Sequence, residues 1–360
     1  ARLVHAAQRL HGHLLEPYAE YWRLRQRIED RSAEELDEFL SRYDGSYLAD
    51  RLRADWLRVL GKQGDWEKFR AIRPKLVNED VNIACFGLLE RFRSGDASAL
   101  QELERFWLAP KELPEGCALL ADEQLRSGAY GDAQIWGRFR VLAENGRTAA
   151  ARRALVALPA RERPASALID RIVAAPARYV LQLSRAPATR TAKEMLVFAM
   201  MRLARTDTQS AAERWSETDH AGLSAQDEAY VWGQIALWGA RRQMPEAADW
   251  FARAGNAVLH DEQREWHARI ALRNANWPEV RAAIEAMSPQ ARLDSTWIYW
   301  RARALQTMGE AASANSEFAR ISSEIGFYGQ LAAEELGRAF RLPPQASAPT
   351  EEELAHALAL

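Results

Sequence analysis

The sequence predicts an all-α fold, a curved superhelical solenoid of stacked helix pairs. Three observations carry this. Apolar residues recur at i, i+3 and i+4 along most of the chain, and no convincing run alternates as a strand would. Ala, Leu, Arg, Glu and Gln, good helix formers, fill much of the remainder. Near the C-terminus the helix-start signals return at a fixed interval.

The helical spacing is plain in Trp22, Leu24 and Ile28, then in Leu36, Phe39 and Leu40. It returns in Leu88, Leu89 and Phe92, and in Leu100, Leu103, Phe106 and Trp107. Short Gly, Pro or Asn steps punctuate the pattern: Asp44-Gly45, Gly64-Asp65, Ser127-Gly128, Asn145-Gly146, Pro159, Pro164, Pro176, Pro187, Asn274, Pro289, Gly309 and Gly326. The segments between them run to about 10–18 residues, the layout of antiparallel helix pairs. Further along, helix starts fall at Met244-Pro245-Glu246, Trp277-Pro278-Glu279 and Gly309-Glu310-Ala311, and the two Pro-Glu steps lie 33 residues apart. A period of about 34 residues is that of tetratricopeptide-type repeats. Proline costs little at a first helical position, where its missing N–H would be unpaired anyway. Ala247, Ala248, Ala282, Ala283, Ala311 and Ala314 are expected to let paired helices approach.

Residues 341–350 read as a Pro-rich linker. Thr350-Glu351-Glu352-Glu353 then starts a helix, with Thr350 as N-cap and Glu353 at the capping-box position. No closing signal follows before Leu360, as expected of a truncated chain. The chain also opens on Ala1 with no signal-type stretch, as expected of a processed or shortened one.

Composition narrows the function classes. The chain has 360 residues, 48 basic and 50 acidic, for a net charge of −2. That balance argues against a dedicated nucleic-acid binder, and an apolar share of 48% against 27% charged excludes a disordered chain. The longest apolar run, Met195 to Met201, is far short of the ~20 residues that span a bilayer, so a soluble chain is expected. Two cysteines, Cys85 and Cys117, cannot make a zinc site alone and have no His pair nearby. They are either one disulfide or two buried thiols. Thirteen Trp residues are many for this length. Trp56, Trp66, Trp232, Trp238, Trp277 and Trp297 sit among Leu and Ala and read as fillers between helices rather than as sugar-stacking platforms.

Motifs for chemistry are missing. Gly61-Lys62-Gln63 lacks the upstream Gly and the Ser/Thr of a phosphate-binding loop. There is no H-E-x-x-H, G-x-S-x-G or EF-hand loop. His11-Gly12-His13 reads as an exposed loop, not a ligand pair. No acid stands out by an apolar context, and of Glu334-Glu335 at least one must face solvent, since adjacent helical residues point about 100° apart. No catalytic residue, cofactor site or metal site is expected. One charge feature is real: from Ala151 to Arg190, Arg152, Arg153, Arg161, Arg163, Arg171, Arg178, Arg185 and Arg190 face only Glu162 and Asp170. Clustered on one face they would attract an anionic polymer; dispersed, they would merely solubilise several helices.

In the C-terminal third the residues become specific. Trp297-Ile298-Tyr299-Trp300-Arg301-Ala302-Arg303-Ala304-Leu305 is followed by Gly309, Phe318 and the run Gly326-Phe327-Tyr328-Gly329-Gln330-Leu331-Ala332-Ala333-Glu334-Glu335-Leu336-Gly337. This resembles the end of the superhelical ring domain of soluble lytic murein transglycosylases. Leu15-Glu16-Pro17-Tyr18-Ala19-Glu20-Tyr21-Trp22 is similar to that family's entry helix, and Cys85 and Cys117 around Arg105-Phe106-Trp107-Leu108 to its Cys hairpin. The match is specific over about 266–337, moderate over 14–28 and 85–117, and rests on helical register between about 140 and 240.

The resemblance implies a ring closed from residues 1–343, with 344–360 as the linker and first helix of a linker domain. A lysozyme-like catalytic domain would follow. It implies a Cys85–Cys117 disulfide and an oxidising periplasm. It also implies a reaction that cleaves the glycan with a single Glu as acid and then base, giving a 1,6-anhydro product. The Glu-Ser motif and the G-L-M-Q segment that carry that reaction are absent here, so no catalytic residue is transferred. The expected role is a non-catalytic ring that guides glycan strands and holds the catalytic domain, with other cell-wall enzymes as further partners. Arg152, Arg153, Arg161, Arg163, Arg171 and Arg178 are the candidate contacts to glycan or stem peptide. The alternatives are a tetratricopeptide-like adaptor that holds a peptide in its groove, and an all-α carbohydrate enzyme with unrecognised acids.

Overall fold

The computed structural model describes residues 10–183, 187–218, 220, 222–255, 259–339 and 345–359. Every regular element among them is helical. The chain divides into two compact units, residues 1–159 with 349–360, and Ala160–Ala348.

The first unit runs α1 (Glu16–Arg25), α2 (Ala33–Arg42), α3 (Tyr47–Gln63), α4 (Trp66–Ile72), α5 (Val81–Arg93), α6 (Ala99–Trp107), α7 (Glu115–Ser127), α8 (Asp132–Glu144) and α9 (Thr148–Ala154). Local chemistry sets the boundaries. Ser32, Ser46, Asp65 and Asp80 each accept a hydrogen bond from a first-turn amide and so start α2, α3, α4 and α5. Such a cap is worth about 1 kcal/mol. Gly64 and Gly128 end α3 and α7 in the left-handed conformation.

The core of this unit is one cluster, with Leu36, Leu57, Phe69, Phe86 and Leu103 all but completely buried. At its centre α5 and α7 meet backbone to backbone. Cys85 and Cys117 are joined there by a disulfide with their Cα atoms 4.7 Å apart, and both are fully buried. The approach depends on Gly116, where an added Cβ would stand 2.5 Å from the Phe86 amide nitrogen. Arg138 on α8 fastens the loop that leaves α6. Its guanidinium, buried in the core, donates to the carbonyls of Trp107 (2.7 Å), Ala109 (2.5 Å) and Lys111. Burial lowers its pKa, against the pull of Glu112.

The second unit runs α10 (Ser166–Ala174), α11 (Pro176–Leu181), α12 (Arg190–Thr206), α13 (Thr208–Glu217), α14 (Ala225–Arg241), α15 (Ala247–Ala254), α16 (Asp261–Arg273), α17 (Trp277–Glu285), α18 (Ser295–Thr307), α19 (Ala311–Ile321) and α20 (Phe327–Glu335). Helices α14 and α15, α16 and α17, and α18 and α19 pack as successive pairs, and the layers are joined by α14 on α16, α17 on α18 and α18 on α20. The repeat is written in the turns. Met244 N donates to Gly239 O, Asn276 N to Ala271 O and Glu310 N to Leu305 O, each at 2.9 Å. In each turn the residue before the donor is left-handed: Gln243, Ala275 and Gly309. This is the Schellman closure, which satisfies carbonyls that the helix end would leave unpaired.

Three expectations are corrected. Pro245 lies ahead of α15 rather than at its first position, because the Schellman turn runs through Met244 and delays the helix to Ala247. Of the prolines in the two Pro-Glu steps, Pro278 alone sits inside a first turn. Of the small residues, Ala247, Ala283 and Ala314 are buried between helices, Ala248 is half-buried, and Ala282 and Ala311 are exposed. The segments between Thr148 and Leu181 are also shorter than the period suggests, since Pro159, Pro164 and Pro176 interrupt them.

The final helix, α21 (Glu351–Ala359), starts as the sequence predicts. Thr350 N donates to Glu353 (2.7 Å) and Glu353 N to the Thr350 hydroxyl (3.2 Å). Residues 341–344 of the linker ahead of it lie outside the described residues.

Candidate functional site

The arginines singled out in the sequence do not form one set. Arg152 and Arg153 belong to the first unit, and Arg161, Arg163, Arg171, Arg178 and Arg190 to the second. Arg185 lies outside the described residues. Pairing consumes several of these charges. Arg153 meets Glu112 at 2.7 Å, Arg161 meets Glu162 at 3.3 Å, and Arg190 meets Glu194 at 2.5 Å. Arg152 is half-buried and, like Arg163, engaged by neighbours.

Arg171 and Arg178 differ from the rest. Both are exposed, and neither has an ion-pair or hydrogen-bond partner among the described residues. The chain brings them together at a corner. Helix α10 ends at Ala174, Ala175 turns the chain, and Pro176 opens α11. The Ala175 amide donates to Arg171 O (2.9 Å) and the Tyr179 amide to Ala175 O (3.2 Å), which locks the turn. A cavity of about 590 Å³ lies against it, lined by Arg171, Ala174, Ala175, Arg178, Tyr179, Gln182 and Leu183. Every side-chain polar group in that lining is a cation or can donate, and none is an acid. Burial raises the Tyr179 pKa while the Arg171 charge pulls it down, which places the guanidinium within electrostatic reach of the phenol. The hydroxyl keeps its proton at neutral pH and remains a donor. Sequence reasoning found both arginines but missed Tyr179 and Gln182. The signal was present as two arginines seven residues apart across Pro176.

A second cavity, of about 690 Å³, lies in the second unit between α15, α16 and α17. Its polar lining includes His267, Glu279, Arg264, Asp249 and Asn274. The His267 ring stacks on Phe251 at 4.4 Å, and its Nε2 lies 2.8 Å from a Glu279 carboxylate oxygen. Burial drives the His267 pKa down, and Glu279 only partly restores it. The buried Nδ1 has no hydrogen-bond partner. With Nε2 donating to Glu279, Nδ1 is the unprotonated nitrogen of a neutral ring. It is shut away from solvent, so the pair has the elements of a base and its orienting acid without access to a substrate.

One acid does sit in an apolar context, against the expectation from sequence. Glu194, just ahead of the run Met195 to Met201, is 1% exposed. Arg190 one turn earlier holds its carboxylate. Glu334 is exposed, and Glu335 is half-buried and paired with Arg303. His11 and His13 are exposed, with His11 Nδ1 2.8 Å from Glu16. Trp56, Trp232 and Trp297 are buried as fillers, whereas Trp66, Trp238 and Trp277 are half-buried. Trp238 carries guanidinium groups of Arg205, Arg241 and Arg242 at 4.6–5.6 Å, so cations already occupy its surroundings. No cluster of metal-binding side chains occurs among the described residues, and no described helix is long and apolar enough to cross a membrane.

Comparison with known proteins bears out the resemblance read from the sequence. No family model matches the chain. It is similar to the soluble lytic murein transglycosylase of Escherichia coli (strain K12), with 23% identity over 341 residues, covering 91% of this chain and 51% of that protein. The Salmonella typhimurium protein of the same name is 21% identical over 333 residues, with the same coverage of 91% and 51%. The chain thus spans about half the length of the curated relatives it matches. Among solved structures, an inactive mutant of the lytic transglycosylase Slt from Pseudomonas aeruginosa superposes with a TM-score of 0.60 and 24% identity, covering 94% of this chain and 55% of that one. The 70 kDa soluble lytic transglycosylase from Escherichia coli gives a TM-score of 0.52 at 21% identity, over 95% and 56%.

Proposed function

We propose that this chain, similar over nine-tenths of its length to soluble lytic murein transglycosylases, is the non-catalytic helical portion of such an enzyme. The whole enzyme would cleave the MurNAc–GlcNAc β-1,4 bond of peptidoglycan and release 1,6-anhydromuropeptides in the periplasm. The helical portion would close into a ring over residues 1–343, guide glycan strands and hold the catalytic domain. Residues 344–360 would begin the linker domain. The observation that carries this reading is the joint likeness in sequence and fold along nearly all of this chain and about half of each relative. The missing Glu-Ser and G-L-M-Q motifs support a non-catalytic role. The buried Cys85–Cys117 disulfide supports an oxidising compartment.

The test is peptidoglycan digestion followed by mass analysis for 1,6-anhydromuropeptides. The 360-residue chain would be run beside a version extended through the natural gene. Product from the extended chain alone is the expected result. Product from neither would leave a peptide-binding adaptor as the better reading, and product from both would place an active site within these helices.

A further inference from the structure

We propose that the corner between α10 and α11 is a receptor for a peptide carboxylate, gripped by Arg171 and Arg178 with Tyr179 and Gln182 completing its hydrogen bonds. That the acid belongs to the peptides of peptidoglycan rests on the function proposed above. The chemistry of the corner does not.

Arg171 and Arg178 both line one cavity of about 590 Å³ and have no acid to pair with among the described residues. Elsewhere in this stretch arginines find carboxylates: Arg153, Arg161 and Arg190 all do. A carboxylate suits this donor set. It accepts at two oxygens, each with two lone pairs, and guanidinium groups meet it with parallel N–H bonds. The phenol of Tyr179 and the amide of Gln182 supply uncharged donors for the lone pairs that the arginines leave open. Ala174, Ala175 and Leu183 give the apolar wall that the rest of a short peptide would cover.

The backbone of the corner is tied by its own hydrogen bonds. Backbone bonds from Ala175 to Arg171 and from Gln182 to Arg178 (3.2 Å) tie both arginines into the corner itself. The proline ring at position 176 fixes its own φ at the bend. A lysine at either position would keep the charge and lose the planar fork.

The experiment titrates the 360-residue chain with N-acetyl-D-Ala-D-Ala, with its C-terminal amide and with inorganic phosphate, followed by NMR shifts. The free acid is expected to bind, and the amide at least about tenfold more weakly, the scale of a charge-assisted hydrogen bond. Arg171→Gln with Arg178→Gln should weaken the acid by about tenfold or more, and Arg171→Lys with Arg178→Lys should recover only part of it. Tyr179→Phe should cost a few-fold. Both arginines are exposed, and an unchanged circular dichroism spectrum confirms that the variants fold. Acid binding that survives the double Gln variant overturns the proposal. Phosphate binding as tightly as the acid overturns the carboxylate assignment.

A sacculus pull-down run in parallel separates this proposal from the function it rests on. Sacculi retained equally by wild type and double variant, with no arginine-dependent peptide binding, would sink the corner and leave the function standing. Arginine-dependent peptide binding, with no anhydro product from the extended chain, would do the reverse.

Discussion

Breaking the Cys85–Cys117 bond should destabilise the first unit by about 3–5 kcal/mol. The half-cystines are 32 residues apart in sequence. On the chain-entropy relation, cross-linking a loop of that size removes roughly 12 cal/mol/K from the unfolded ensemble, or about 3.7 kcal/mol at 25 °C. Residual structure in the unfolded chain lowers that figure. Truncating two fully buried sulfurs to alanine works the other way and adds about 1 kcal/mol for the space left behind. The backbones of α5 and α7 already touch at Gly116, so the site has little freedom to collapse into the gap. The assay is urea unfolding, followed by tryptophan fluorescence, of the oxidised chain, the chain under reductant and the Cys85→Ala, Cys117→Ala double variant. The variant's midpoint should fall well below that of the oxidised chain, with the reduced chain close to the variant. A shift under about 1 kcal/mol would refute the reasoning. It would mean that helix packing alone fixes α5 against α7, or that the unfolded loop is already closed.

The other predictions concern single side chains. Burial holds the His267 pKa below its ordinary 6.5 in the fold, so the unfolded chain takes up a proton first. Its contribution to stability should be full above about pH 6.5 and be lost as pH falls below it; His267→Phe should flatten that slope in melts between pH 5 and 8, and an unchanged slope would contradict the assignment. Ala275→Gly should stabilise by about 0.5–1 kcal/mol, since Ala275 holds a left-handed conformation in an exposed turn and glycine adopts it without the Cβ penalty; a lower midpoint in chemical unfolding would count against the turn geometry. Gly116→Ala should cost about 1–3 kcal/mol because the new Cβ meets backbone that cannot yield, while Gly137→Ala, with only Leu108 at 3.6 Å, should be neutral or stabilising. The two glycines behaving alike in denaturant titrations would be incompatible with the packing described. Arg138→Met should cost about 3 kcal/mol by leaving three loop carbonyls without their donor, read as a lower thermal midpoint.

What the sequence made legible, and what it hid, follows from the range of the interactions involved. Helix starts are decided by a side chain and an amide two or three residues away. Thr350 with Glu353, and the Ser and Asp caps of the first unit, were therefore open to local reading. The repeat was legible too, but through the wrong residue. The Pro-Glu steps marked the period, whereas the recurring device is the left-handed residue that closes each Schellman turn. Glycine announces that device at Gly309, but Gln243 and Ala275 give no outward sign of it. Charge was the least legible property. Arg153 is neutralised by Glu112, 41 positions earlier in the chain, and no local pattern foretells that pairing. For the same reason the proposed site rests on Arg171 and Arg178 alone. A run of basic residues predicts a net charge, and a binding site needs the charges that folding leaves unspent. Glu194 makes the converse point. Its neighbours on the C-terminal side are apolar and its partner, the exposed Arg190, is one helical turn back, so both halves of that pair stood in the sequence four residues apart. The reading that weighed acids singly passed over it, and a reading that asks which cation stands one turn from each acid in an apolar run would have found it.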